Sequence, residues 1–368
     1  MAITTIAYAD PTRVTVGVDT HGDVHVAHAK DQLGRRLDTV SIPTTPTGYR
    51  DLLAWARGLG QVAAFGVEGT GSYGAGLARF LREADQVVLE VNRPDRAARR
   101  RQGKSDPVDA EAAARAVQAG EVTITPKARD GHVEMLRSLR VARTTAMRAR
   151  TQAVNALRSL VVTAPAELRE QLRGLSTVRL VRVATTLDPG SLTSPTAAAM
   201  LALRILARRY QALDAEITTL DSELDRLTAK AAPRLLALFG VGPDVASALL
   251  VAAGDNPERL RSDAAFSMLC GSSPIEASSG KTIRHRLNRG GDRQANAALY
   301  RIVIVRLRWH QPTKDYMARR TAEGKSKKEI IRCLKRYVAR EVYRVLISSV
   351  VRSSPTAPRD EAQRSRAA

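Results

Sequence analysis

Two carboxylates three residues apart, Asp106 and Asp109, stand in the run Lys104-Ser-Asp106-Pro-Val-Asp109-Ala-Glu111. On a helix, residues at i and i+3 share a face, so both side chains can point into one space. Like charges that close repel each other unless a cation lies between them. Carboxylate oxygens at a helix start, joined by acids from strand ends, are the hard donors that Mg²⁺ takes. Two such acids lie upstream: Asp19 closes one β-branched run and Glu68 another. The same residues also suit an ordinary helix start, with Asp106 as N-cap, Pro107 at the first helical position and Asp109 as the acid of a capping box.

Further chemistry lies downstream, in the polar stretch from Leu269 to Lys281. A serine beside glycine, Ser279-Gly280, is followed by Arg284, Arg286 and Arg289. A serine attacking a phosphodiester needs cations to stabilise the developing charge, so this is a candidate nucleophile. Ser-Gly pairs are also common turns, and Ser278, Ser272 and Ser273 stand close by.

Two other constellations compete. His21 and His25 have the spacing of one strand face, but with His28 they read as ordinary strand residues. Gly69, Gly71 and Gly74 form GxGxxG between a strand and a helix, and Glu90 ends the next strand, as in a dinucleotide-binding oxidoreductase. That reading needs a second set of parallel strands, whereas the chain after Asn92 turns basic and then helical.

Composition bounds the partner. The 368 residues carry 58 Lys or Arg against 37 Asp or Glu, a net charge of +21. So basic a chain expects a polyanion, because clustered cations displace counterions from phosphate backbones. Cys270 and Cys333 are too few for a disulfide framework or a structural zinc site. No secretory signal or membrane-length apolar run stands out, and the expectation is a soluble protein of a reducing cytoplasm.

The elements that must position these groups follow from periodicity. Residues from Arg13 to Ala29 read as a hairpin turning at Thr20 to Asp23, with a third antiparallel strand near Leu37 to Ile42 and a helix from Tyr49 to Leu59. A buried-type strand ends at Glu68, and an alanine-rich helix after Asp106 stops near Gly120. Between them, Arg93 to Lys104 is a basic run suited to holding a phosphate backbone. A helix from His132 to Val161 carries six arginines, among them Arg140, Arg143 and Arg150, against one acid, Glu134, and predicts a second backbone-contacting surface. Leu206, Tyr210, Leu213, Ile217, Leu220, Leu224 and Leu227 alternate spacings of four and three, a heptad seam that wants a partner helix in this chain or in another subunit. From Pro233 a compact helical region begins; its Gly240-Val-Gly242 turn resembles a helix-hairpin-helix, which offers N–H groups to a phosphate, and equally suits a plain turn. The tail from Ser353 to Ala368 reads as disordered.

Gly17-Val-Asp19, Glu68-Gly-Thr-Gly-Ser-Tyr73, Lys104-Ser-Asp106-Pro-Val-Asp109-Ala, Gly240-Val-Gly242-Pro and Pro274-x4-Ser279-Gly280 together, in this order, closely resemble the insertion sequence 110 family of DEDD transposases. The resemblance implies an α/β domain of RuvC-like, RNase H-like fold over residues 1–125, a helical coiled-coil connector over 126–230 and an all-α transposase domain over 231–350. It implies that Asp19, Glu68, Asp106 and Asp109 hold Mg²⁺, two ions being expected, and that Ser279 is the nucleophile. The spacing from Pro274 and the following Gly280 favour Ser279 over Ser278. It also implies donor and target DNA, a structured bridge RNA as guide, a homo-oligomer of two or four subunits, and a place at the nucleoid of a bacterial cytoplasm. A metal-dependent junction nuclease that hydrolyses with water is the alternative.

Overall fold

A computed structural model of the chain describes residues 13–91 and 105–350. The basic run from Arg93 to Lys104 and the tail from Ser353 lie outside the described residues. The chain divides into two compact units, Met1–Gly131 with Ala253–Arg261, and His132–Ala252 with Ser262–Ala368.

The first unit is built on a sheet of five strands, β1 (Arg13–Thr20), β2 (Val24–Asp31), β3 (Arg36–Pro43), β4 (Gln61–Glu68) and β5 (Val88–Val91), in the order β3-β2-β1-β4-β5. β1, β2 and β3 run antiparallel as consecutive neighbours, while β4 lies parallel to β1 and β5 parallel to β4. This mixed sheet is that of an RNase H-like domain, and it corrects the dinucleotide reading, which requires parallel strands on both sides of β1. The three glycines have another use. Gly69 takes φ +64°, and a Cβ on Gly74 would stand 2.7 Å from the Glu68 carbonyl oxygen, so they fold the turn after β4 tightly against its end.

The sheet's two faces differ in how closely they are approached. Val14, Val16, Val18, Phe65 and Val67 pack against α1 (Pro46–Leu59) and α2 (Ala75–Glu83) through Leu52, Leu53, Leu77 and Leu81 in an ordinary aliphatic core. The other face bears Gly17 on β1 opposite Gly66 on β4. Against them lies α3 (Asp106–Gln118), whose buried face is Ala110, Ala113 and Ala114. A Cβ on Gly17 would meet the Ala110 carbonyl oxygen at 2.0 Å and the Ala114 nitrogen at 2.3 Å; the helix backbone therefore touches the strand backbone. Polar ties fix its position. Lys30 of β2 donates to Glu111 at 3.0 Å in a mostly buried pair, Arg36 reaches the other oxygen of the same carboxylate at 2.6 Å, and Gln118 donates to the Asp31 carbonyl at 2.7 Å. Burial alone would raise the Glu111 pKa, but Lys30 and Arg36 overcome it and hold the carboxyl below its ordinary range.

In the second unit, α4 (His132–Thr163) and α7 (Pro195–Ala231) lie side by side, with α5 (Ala166–Leu172) and α6 (Thr177–Thr186) packed around one end through Leu168, Leu172, Leu180 and Val181. The pairs Arg143 with Asp221 and Arg150 with Asp214 make α4 and α7 antiparallel. The heptad seam therefore finds its partner within the chain: Ile217, Leu224 and Leu227 are buried, and the Arg150 guanidinium lies 5.8 Å from the Tyr210 ring. Ion pairs engage four of the six arginines of α4, while Arg148 is exposed without a carboxylate partner among the described residues and Arg158 donates to the Thr177 hydroxyl. Arg137 is held by Glu134, Arg140 by Asp244, Arg143 by Asp221 and Arg150 by Asp214, so these charges are spent inside the unit.

The remaining helices are α8 (Pro233–Leu236), α9 (Pro243–Ala253), α10 (Asp263–Leu269), α11 (Arg293–Trp309), α12 (Gln311–Ala322) and α13 (Lys327–Val350). Gly240 turns the chain between α8 and α9 at φ +80°, as the plain-turn reading expects. The start of α9 carries Asp244, clasped by Arg140 and Arg301, so its negative partner is supplied by the chain itself.

Two outcomes follow for the packing of α3. Gly17→Ala must push backbone off backbone; chemical denaturation should show a loss of about 1–3 kcal/mol or more, whereas Gly58→Ala in α1, where a Cβ would meet nothing within 4 Å, should be neutral or stabilising. The depressed pKa of Glu111 contributes stability that is complete above the ordinary glutamate range and lost as pH falls through it into the folded-state value. Glu111→Gln should remove that part of the acid dependence of unfolding.

Candidate active site

β1 and β4 end side by side because they are parallel and in register at Val18 and Val67. Side chains alternate along a strand, so Asp19 and Glu68 fall on the face that bears Gly17 and Gly66, toward α3. Both acids are buried, at 6% and 7% exposure. Thr20 ties the two strand ends together by donating its hydroxyl to the Glu68 carbonyl at 2.9 Å.

The start of α3 brings two further acids. Its N-cap is Ser105, whose backbone is extended and whose carbonyl accepts from the Asp109 N–H at 3.1 Å. Asp106 is thus the first helical residue, and the third is Val108, so the capping-box arrangement of Asp106 and Asp109 is not formed. Both carboxylates lie close enough to the end of β1 for their charges to act on Asp19. Asp109 is buried and Asp106 half-exposed.

Among the described residues, ligand atoms of Asp19, His21 and Asp106 lie within 4.8 Å of one another. His21 stands between the two acids, Nδ1 at 3.9 Å from Asp19 and Nε2 at 3.9 Å from Asp106. Glu68 and Asp109 are not in this set, although the Asp109 charge lies close enough to act on Asp19. The Asp19 carboxyl is pushed above its ordinary pKa, first by burial and then by the charges of Asp109 and Asp106, with His21 opposing. Ligands of a Mg²⁺ ion, at about 2.1 Å from it, stand at most about 4.2 Å apart. The two 3.9 Å contacts use different nitrogens of the His21 ring, so one ion would take only one of them and the acids would close on it by a few tenths of an ångström from the 4.8 Å group; the crowded negative charge of Asp19, Asp106 and Asp109 is what a divalent cation would relieve.

His21 was read from sequence as a strand residue with His25 and His28. The three part company. His25 is fully buried, stacked on Tyr49 with ring centroids 5.9 Å apart, and His28 shares a hydrogen bond with the Thr39 hydroxyl at 2.7 Å. His21 leaves the strand beside the acids. The available signal was its spacing of two from Asp19, at the end of a run rather than within it.

Ser279 belongs to the second unit, at the tip of a hairpin whose strands are β6 (Ile275–Glu276) and β7 (His285–Arg286). Ser279 and Thr282 exchange both backbone hydrogen bonds at 3.1 Å, closing a two-residue turn with Gly280 at φ +55°. Glycine at the first central position is what a type II′ hairpin turn requires. The Ser-Gly pair is therefore a turn, and the turn presents the serine. Its hydroxyl is exposed and has no protein partner among the described residues, whereas the Ser278 hydroxyl accepts from the Arg284 N–H at 3.2 Å. Arg284 and Arg286 are exposed, with no carboxylate partner among the described residues.

Comparison with known families agrees with the motif order. Residues 16–164 match the model of the DEDD transposase of IS110 elements, described as a transposase. Residues 232–318 match the transposase family IS116/IS110/IS902. The first stretch contains Asp19, Glu68, Asp106 and Asp109, and the second contains Ser279. No curated protein matches the chain.

Binding of a divalent ion to the acids can be read without any reaction. Millimolar Mg²⁺ or Mn²⁺ should raise the midpoint of thermal unfolding of the wild-type chain by mass action. Asp19→Asn and Asp106→Asn should lose most of that rise, since each removes a hard anionic ligand, and His21→Ala should reduce it. A full rise in the Asn variants would return these acids to a structural role.

Proposed function

The chain belongs to the IS110 family of DEDD transposases, DNA-cutting and rejoining enzymes, and from that premise we propose that it exchanges DNA strands through a covalent bond to Ser279. The observation that carries this reading is the pairing of two features, a group of acids gathered at the ends of β1 and β4 and an unpartnered serine raised on a turn among free arginines. No helix among the described residues is long and apolar enough to cross a membrane; an enzyme of DNA acts at the chromosome, in the bacterial cytoplasm.

In the proposed division of labour, residues 1–125 carry the metal-binding acids, 126–230 form the connector and 231–350 present the nucleophile. Asp19, Glu68, Asp106 and Asp109 would hold one or two Mg²⁺ ions against the scissile phosphate. Bound there, the metal would polarise the phosphate and offset charge on the attacking and leaving oxygens. Ser279 Oγ attacks the phosphorus, loses its proton and forms the Ser–O–P bond. The bond from phosphorus to the 3′ oxygen breaks, and that oxygen leaves as a hydroxyl after gaining a proton. Arg284 and Arg286 stabilise the charge on the phosphate as the bond order changes. Because the phosphoserine ester keeps the bond energy, a 3′ hydroxyl from either DNA can attack it and restore a continuous strand without ATP. His21 completes the ring of donors around the acids.

Target choice is assigned to a structured bridge RNA from the element itself, read by base pairing. That assignment, like an assembly of two or four copies, is what the resemblance of the sequence motifs implies. Sequencing the nucleic acid that copurifies with the chain checks the guide: one recurrent structured RNA is expected, and random cellular RNA would speak against it.

DNA interrupted just beyond the cleavage point tests the covalent step, since the released strand diffuses away before its hydroxyl can reverse it. The wild type should trap a protein–DNA adduct whose peptide map gives Ser279. Ser279→Ala should form neither adduct nor recombinant, and Asp106→Asn or Asp109→Asn should lose the adduct while still binding DNA. Cleavage that survives Ser279→Ala without any adduct would instead mark a nuclease that uses water, and an adduct on Ser278 or Tyr300 would move the nucleophile.

A further inference from the structure

The hairpin that raises Ser279 stands at the edge of a cleft in the second unit, about 1210 Å³ in volume, walled by α11, α12 and α13. Ser273 and Pro274 on one leg of the hairpin and His285 and Leu287 on the other line it, so cleft and hairpin share a wall. Its lining is cationic. Arg289, Arg293 and Arg319 have no carboxylate partner among the described residues, and Lys325 and Arg332 lie near Glu329 without an ion-pair contact to it. The one acid in the lining, Glu329, turns its carboxylate to the N–H and hydroxyl of Ser326 at 2.9 and 2.7 Å, at the start of α13.

Aromatic rings stand among these charges. Tyr300 and Tyr337 face the cleft at 47% and 53% exposure, far more than packing against a core would leave. Tyr316 meets Tyr337 edge to face with centroids 5.7 Å apart, and the Arg319 guanidinium lies 5.4 Å from the Tyr316 ring. A solvated basic surface explains the arginines but not three tyrosines recessed between them.

We propose that this cleft holds an unpaired segment of the DNA strand next to Ser279, its bases stacked on Tyr300, Tyr316 and Tyr337 and its phosphates held by the surrounding arginines and lysine. Bases in a duplex hide their faces in the stack, so rings that stack on base faces take only bases that have been unpaired. Arginine planes and tyrosine rings are the partners such bases take, without preference for sequence. The volume exceeds the roughly 300–1,000 Å³ of a pocket for one small molecule and leaves room for a few nucleotides. From the base of the hairpin at Ile275 to Ser279 the extended chain spans about 13 Å, so a strand joined to the serine continues into the cleft after a short stretch. Choosing DNA over RNA rests on the reading of Ser279 as the nucleophile; the stacking and the phosphate contacts do not.

The test uses the full chain and a short fluorescent oligothymidine, with excess unlabelled duplex to occupy surfaces that take any DNA. Tyr337→Ala should weaken oligothymidine binding roughly 5- to 150-fold, the loss of one stacked base. Tyr337→Phe should restore it, and affinity for labelled duplex should not change. Arg332→Gln should weaken binding and lower its salt dependence by about one released ion. An oligothymidine carrying 5-bromodeoxyuridine should crosslink under ultraviolet light to peptides bearing Tyr300, Tyr316 or Tyr337. A change within about twofold for Tyr337→Ala, against the loss expected for a stacked base, would overturn the proposal. So would an equal loss for duplex, or a loss confined to oligouridine RNA, which would make the cleft part of a guide-RNA surface. The same contrasts are expected in Ser279→Ala protein, which forms no adduct, so a failed adduct and a failed cleft are separate results.

Discussion

The first unit depends on two missing side chains. Gly17 and Gly66 stand side by side on β1 and β4 and let the alanine face of α3 come down until helix backbone meets strand backbone. A helix held off by ordinary side chains would lie on the sheet at about 10 Å. Its first turn would then stand away from the strand ends. Because the approach is close, Asp106 and Asp109 come into the electrostatic field of Asp19, as the raised pKa of that buried acid records. Lys30 and Arg36 on Glu111, and Gln118 on the Asp31 carbonyl, stop the helix from sliding along this flat place. Glu111, one turn into the same acidic motif, is thereby an anchor of the helix.

Charge in the second unit is sorted by the same kind of constraint. Arg140, Arg143 and Arg150 on α4 face α9 and α7, where Asp244, Asp221 and Asp214 receive them, so part of the charge on this helix serves packing. Around the cleft the charge is divided: Arg320, Arg336 and Arg340 pair with Glu323 and Asp263, while Arg289, Arg293 and Arg319, like Arg284 and Arg286 on the Ser279 hairpin, meet no such acid among the described residues. A strongly basic chain can thus devote part of its charge to its own packing and leave another part for phosphate. Only the second part bears on the salt dependence of binding.

The two chemical parts differ in how they are held. The acids sit on rigid strand ends and a pinned helix, where burial raises the cost of an uncompensated charge and so favours a bound cation. Ser279 sits on an exposed two-residue turn, whose glycine sets the geometry and whose backbone bonds leave the hydroxyl unengaged. Firmly held acids and an exposed serine would suit the proposed reaction, in which one phosphate is attacked twice, by the serine and then by a 3′ hydroxyl.

Much of this was legible in the residues. β-branched runs and turn residues marked β1 to β4, the spacing of Asp106 and Asp109 marked a shared helix face, and the order of five weak motifs pointed to one family, because each is a local property that sequence carries directly. Partner choice was not local. Whether the seam on α7 met α4 or another subunit, and whether the arginines of α4 met acids or solvent, depended on residues 64 to 107 positions away in the chain. His21 was misread for the same reason: alternation along a strand describes residues inside it, and His21 lies just past its end, where only the packing of α3 sets Asp106 beside it. The tyrosines of the cleft come from α11, α12 and α13, and no spacing along the chain places them around one space. Sequence determined the elements and the chemistry available to them; tertiary packing decided which charges were neutralised inside and which were left to meet a ligand, since electrostatic interaction depends on distance through space and on burial.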